Sequence, residues 1–244
     1  MRNVKAVFKK QAKDTVKNAA TLVQFLLFPA VAFAMTELVA RGEMFAESDL
    51  PETMFITMMA ATFVGMALIP FVASIVAEDR EKKSLRFLIM AGVKPHDYLM
   101  GIGGVVLFAS LFPSVAFGLM GRFAPGELGI FLAVLLSAAT ASILLGLTIG
   151  IYAKNVQAAT GLAMPVAMML GFGPTIAPFN EQIARALGVF YTLQLNLVMA
   201  GFYTVSGAQA DPGIVLQSFA IIWANIAVLA VLFAVAFAKK GLRS

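Results

Sequence analysis

Residues 54–77 read MFITMMAATFVGMALIPFVASIVA, and residues 78–86, which follow at once, read EDREKKSLR. The first stretch carries no charge over 24 residues; the second is charged at seven positions of nine. A hydrocarbon core of roughly 30 Å is crossed by about 20 apolar residues in a helix, so the first stretch spans a bilayer and the second stays in water. Working outward, five more runs meet the same length: 19–40, 98–121, 128–153, 158–177 and 214–238. The sequence therefore predicts an all-α, polytopic membrane protein with six transmembrane helices.

The basic residues are sorted between the two sides of that plan. Arg2, Lys5, Lys9, Lys10, Lys13 and Lys17 precede the first span. Arg80, Lys82, Lys83, Arg86 and Lys94 follow the second, Lys154 follows the fourth, and Lys239, Lys240 and Arg243 follow the sixth. Only Arg41, Arg122 and Arg185 fall on the other side, which leaves 15 of 18 together. The positive-inside rule places that side, and both termini, in the cytoplasm of a cell carrying this protein in its plasma membrane. The net charge of +5 splits into about +10 inside and −5 outside, a topological pattern and no footprint of a nucleic acid.

At 60% hydrophobic residues and a mean hydropathy of +0.89, the chain lies outside the soluble and disordered classes. It has no Cys, so neither a disulfide framework nor a thiol nucleophile exists, and its single His, His96, falls in a loop. No catalytic or metal-binding constellation is expected. Ala32-Phe33-Ala34 resembles a signal-peptide cleavage site, but the basic region before it is long and the apolar run continues to Ala40. An uncleaved first span is the stronger reading.

Residues 1–18 read as an amphipathic helix, with Val4, Val7, Phe8, Ala12 and Val16 on one side and lysines on the other. Such a helix lies in the headgroup layer, Phe8 turned to the bilayer and Lys5, Lys9 and Lys13 to anionic lipid; a plain basic tail that sets topology is the alternative. The remaining residues, 19–244, form one membrane domain. Pro70 is expected to kink the second span near its inner end. In the fourth span Ala138, Ser142, Gly146 and Gly150 repeat every four positions, a ladder that lets another helix approach closely, from this chain or from a second copy. Segment 179–213 is apolar over 190–205, but a seventh span there would carry the basic tail outside. It reads as outer-face helices between spans five and six that dip partway into the membrane.

The segment 78–97 carries the sharpest local signal. Its first turns hold both charge signs, Leu85 and Leu88 share a helix face, and Pro95 limits how far that helix runs. It is either a solvated topogenic loop or a grip for a peripheral protein. The segment resembles the cytoplasmic loop after the second span in permease subunits of ATP-binding-cassette exporters of the type 2 export family. Those loops combine an acidic start, a Leu-x-x-Leu pair and a Tyr shortly before a Gly. Here the matching residues are Glu78, Glu81, Leu85, Leu88, Tyr98 and Gly101, with departures at Lys83-Ser84, where Gly-Thr is common, and at Ile102, where Lys is.

The resemblance extends to the plan of a basic N-terminal helix, six spans and outer-face helices. It implies that 78–97 is a coupling helix, with Glu78, Asp79, Glu81, Leu85 and Leu88 meeting a separate nucleotide-binding ATPase subunit. ATP and Mg would be bound there, since this chain has no G-x-x-x-x-G-K-[ST] of its own. It also implies a second permease copy, identical or related, and outward transport by alternating access. The many methionines of the second span (Met54, Met58, Met59, Met66) and the few polar residues within the spans suit an apolar or amphipathic cargo, a hydrophobic peptide or drug-like molecule.

Three other classes compete. An ion-coupled secondary transporter buries ionisable residues at mid-membrane, and the spans have none at that depth, Glu37 sitting near an outer end. Gln24, Thr57, Thr62, Thr140, Gln217 and Asn225 are polar but uncharged, and sodium coupling through carbonyls stays open. An intramembrane enzyme needs a nucleophile with a base, or metal ligands, within the bilayer. A membrane scaffold would use the same exposed loop without transport.

Overall fold

The computed structural model describes residues 2–41, 54–123, 125–177, 180–201 and 212–240, and among them every regular element is helical. The acidic loop at 42–53, the link at 202–211 and the basic tail beyond Lys240 lie outside the described residues. In chain order the helices are α1 (Arg2–Lys17), α2 (Ala19–Arg41), α3 (Met54–Thr62), α4 (Leu68–Glu81), α5 (Ser84–Met90) and α6 (Pro95–Met120). They continue as α7 (Pro125–Tyr152), α8 (Val156–Ile176), α9 (Glu181–Leu187), α10 (Tyr191–Gly201) and α11 (Pro212–Lys240). A π turn, Phe63–Ala67, joins α3 to α4 without a break.

Among the described residues, five helical stretches are long and apolar enough to cross a membrane: Phe55–Glu81, Pro95–Met120, Pro125–Tyr152, Val156–Ile176 and Pro212–Lys239. A sixth appears when α1 and α2 are taken as a pair, bent by 63°. The Phe55–Glu81 stretch is the most deeply buried of the five and forms the middle of the bundle, with α7 and α8 against it. Around the rim, Leu26 and Phe33 of α2, Phe108 and Phe112 of α6, and Leu216 and Trp223 of α11 point outward. Apolar side chains facing outward on helices of this length are what a hydrocarbon surround requires.

Pro70 lies in the first turn of α4 and is preceded by the π turn. Pro70 has no N–H, and its ring crowds the carbonyl four residues back, at Met66. The turn before it is widened, and the Leu68 N–H reaches back five residues to the Phe63 carbonyl. Neighbours brace this weaker stretch of ladder. The Ser142 hydroxyl donates to the Val64 carbonyl at 2.7 Å, and the Gln24 amide donates to the Ala67 carbonyl at 3.4 Å.

The small-residue ladder of α7 packs within this chain. All four residues are buried. A Cβ added at Gly146 would lie 2.7 Å from the Ile69 carbonyl oxygen, and one at Gly150 would lie 2.6 Å from Val76 Cβ, so α4 fills the notch. Ser142 bonds Tyr191 of α10 at 2.7 Å, the hydroxyl pair lying well inside α7 and far from either end. The Gln194 side-chain oxygen of α10 accepts from Ser218 of α11 at 2.9 Å, and Asn225 of α11 donates to the Val189 carbonyl at 2.9 Å. At 11 residues α10 is about 16 Å long, roughly half a span.

Candidate functional site at the charged end of the bundle

The four charges that close the second span, Glu78-Asp79-Arg80-Glu81, each reach a different neighbour. Asp79, only 6% exposed, accepts from Lys10 Nζ of α1 at 2.5 Å and from the Ser84 hydroxyl at 2.7 Å on one oxygen. Its other oxygen accepts from the Tyr98 hydroxyl of α6 at 3.0 Å. One carboxylate thus ties four helices. Arg80 turns the other way and donates to the carbonyls of Ile151 and Ala153, the latter at 2.7 Å, capping the C-terminal end of α7. A cation at that end satisfies orphan carbonyls and opposes the helix dipole. Glu81 accepts from the Val156 N–H at 3.2 Å, at the start of α8, where the Asn155 side chain also caps the Ala158 N–H at 2.8 Å. Glu78 pairs with Lys82 one turn on, at 2.5 Å, and this hydrogen bond and the charge of Glu78 hold the Lys82 ammonium above its ordinary range.

After α4 the chain turns sharply. Lys83 sits at φ 57°, in the left-handed region, and Ser84 begins α5 while its hydroxyl returns to the Asp79 carbonyl at 3.0 Å. Leu85 is fully buried and Leu88 half-buried, so this pair seats α5 on the bundle. Phe87 and Met90, three residues apart, are 64% and 65% exposed. Gly92 at φ 80° ends the segment, and the Lys94 N–H donates to Asp97 Oδ2 at 3.2 Å as α6 begins at Pro95.

The docking of α1 differs from the amphipathic stripe expected of it. Val7, Gln11 and Thr15 face inward, Phe8 and Ala12 are partly covered, and Val16 is 68% exposed. The reason lies on α6. A Cβ at Gly101 would come within 2.5 Å of Val7 Cγ1, and one at Gly104 within 3.6 Å of the Phe8 ring, so glycines on α6 cut the groove that receives α1. Lys5, Lys9 and Lys13 stay exposed, whereas Lys10 turns toward Asp79.

Of the residues singled out by sequence, Glu78 and Glu81 are exposed, while Asp79 and Leu85 point into the protein. The roles of Lys10, Arg80 and Ser84 had no signal in the sequence. All three act on groups remote in the chain or on backbone atoms, and spacing does not encode such contacts. Tyr98 also meets the Phe237 ring of α11, centroids 5.8 Å apart. That contact brings the end of α11 to the same place, so α1, the α4–α5–α6 turn, Lys154 and Lys239 gather at one end of the bundle.

A search of curated proteins finds no match to this chain. A protein-family model described as "ABC-2 family transporter protein" matches residues 36–238, from inside α2 to near the end of α11. With most of its length covered by that one match, the chain belongs to the ABC-2 transporter family, as a multi-pass membrane component.

Proposed function

We propose that the chain is the membrane-spanning permease of an ATP-driven exporter, and that the α4–α5 turn is where a separate ATPase subunit acts on it. The observation that carries this, beside the family, is the Phe87 and Met90 pair. Two large apolar side chains stand exposed three residues apart on a short helix outside the apolar spans, flanked in sequence by the exposed Lys82, Lys83 and Lys94. Apolar groups in a polar rim suit the docking of another protein. ATP and Mg belong to that subunit, and this chain performs no hydrolysis.

In this reading the charged end faces the cytoplasm of the plasma membrane. Motion imposed on α5 passes through Leu85 and the Asp79 contacts to α1, α4 and α6, and through Arg80 and Glu81 to the α7–α8 turn. A push at one point is thereby shared by five helices, as a bistable bundle requires. A second permease copy, identical or related, completes the path, and an apolar or amphipathic cargo such as a hydrophobic peptide or drug-like molecule moves outward by alternating access. α9 and α10 lie on the outer side, and the Tyr191 contact to Ser142 supports their dipping into the membrane.

The test is purification of tagged protein from its native membranes in several mild detergents. A stoichiometric partner carrying a Walker A motif is expected, and Phe87→Asp should release it while the chain stays inserted. A chain that purifies without any ATPase in every detergent overturns the proposal.

A further inference from the structure

Between α1 and α4 the charged end holds a crevice of about 270 Å³, which shares five wall residues with a second of about 170 Å³. Gln11, Asp14, Ile75, Glu78 and Lys82 line both. We propose that this crevice binds the headgroup of a zwitterionic aminophospholipid of the phosphatidylethanolamine type, independently of any cargo.

Position comes first. The crevice opens where the apolar run of α4 gives way to Glu78, beside Lys17 and Asn18, at the bend between α1 and α2. This is the depth of the headgroups if the spans cross a bilayer. Charge selects among lipids. Lys10 and Asp79 engage each other, which leaves Lys17 and Lys82 facing Asp14 and Glu78 on the wall, two charges of each sign. A purely anionic headgroup would meet two carboxylates, and a lone cation two ammonium groups. A phosphate and an ammonium on one ligand satisfy both pairs. The Glu78–Lys82 pair is more than half exposed on both sides, so it is weakly held and free to exchange partners.

Hydrogen bonding separates ethanolamine from choline. A primary ammonium donates to carboxylates, and a trimethylated one does not. A quaternary ammonium is held instead by a cage of aromatic faces, and Phe71 is the single aromatic on this wall. The floor is polar as well: Gln11, which donates to the Thr15 hydroxyl at 3.3 Å, and Thr15 are 6% and 7% exposed on the inward face of α1. Phe71 and Ile75, one turn apart on α4, lead from the crevice to the apolar part of the span, a course for the glycerol and acyl chains.

The test is native mass spectrometry of the full chain, purified and offered equal amounts of phosphatidylethanolamine, phosphatidylcholine and phosphatidylglycerol. Retention of the ethanolamine lipid about fivefold over each of the others is expected, the factor given by one charge-assisted hydrogen bond at a half-exposed site. Asp14→Asn and Lys17→Gln should each bring the ratio close to one. Lys13→Gln, on the exposed side of α1 and away from the crevice, should keep it. Equal retention of the three lipids overturns the proposal. So does a preference for phosphatidylglycerol, or a loss as large in Lys13→Gln as in Lys17→Gln, which would assign binding to the general charge of α1. The lipid ranking in the unmodified chain decides even where a variant fails to insert, and it needs no ATPase, so it stands or falls apart from the export reading.

Discussion

Asp79 is nearly buried and carries three side-chain donors, so its cost when removed exceeds that of any one partner. Asp79→Asn turns one acceptor into a donor against Lys10, Ser84 or Tyr98, and should destabilise the protein by about 2–3 kcal/mol. Lys10→Met leaves the two hydroxyl donors in place, and the Lys10 side chain is 44% exposed, so its loss should cost about 1 kcal/mol. Thermal unfolding in a fixed detergent checks the order; equal losses would mean that the ion pair, and not the hydroxyls, holds Asp79. Lys83 sits two residues beyond the end of that helix at φ 57°, where a side chain costs about 1 kcal/mol that glycine does not. Lys83→Gly should therefore raise stability by up to about 1 kcal/mol, despite the added freedom of the unfolded chain. The Gly common at this position in type 2 export permeases has a conformational reason.

At the scale of elements, α7 offers a controlled comparison along one helix. Gly146 meets the backbone of α4 at 2.7 Å from its missing Cβ, whereas nothing lies within 4 Å of the Cβ position at Gly129. Gly146→Ala should push α4 and α7 apart and cost about 1–3 kcal/mol. Gly129→Ala should be neutral or stabilising by up to about 1 kcal/mol, through helix propensity alone. Equal effects, read as unfolding temperatures, would show that the ladder is not a packing seam. The ladder was legible because a four-residue spacing defines a helix face. Its partner was not, because spacing says which side is notched and nothing about which helix enters. The same gap explains α1, whose apolar stripe gave a helix with a preferred side. The groove at Gly101 and Gly104, nearly a hundred residues away, chose the face that docks. The π turn before Pro70 belongs with these: proline disturbs the turn N-terminal to itself, and whether that turn bends or widens is set by braces such as Ser142 and Gln24.

For the whole molecule, the sorting of charge along the chain becomes a sorting in space. Lys10 meets Asp79, Arg80 meets the end of α7 beside Lys154, and Phe237 near the basic tail meets Tyr98, so four separate basic stretches share one surface. α7 then runs from Pro125 to Tyr152, about 40 Å at 1.5 Å per residue, enough to cross a bilayer with some tilt. A helix that crosses puts its two ends on opposite sides of the membrane. Since the chain has no cysteine, single substitutions can report each side without background. Gly126, in the first turn of α7, has no atom within 4 Å of its Cβ position, and Lys154 is exposed just past the other end. Gly126→Cys should react with a membrane-impermeant maleimide on intact cells, and Lys154→Cys only after the membrane is opened. The basic end carries far more charge than the acidic end can offset, and the cost of moving it outward rises with each Lys and Arg retained. The reverse labelling pattern would put α5 and the Asp79 contacts outside, beyond the reach of any cytoplasmic ATPase. A reaction at both positions on intact cells would mean that α7 does not cross at all.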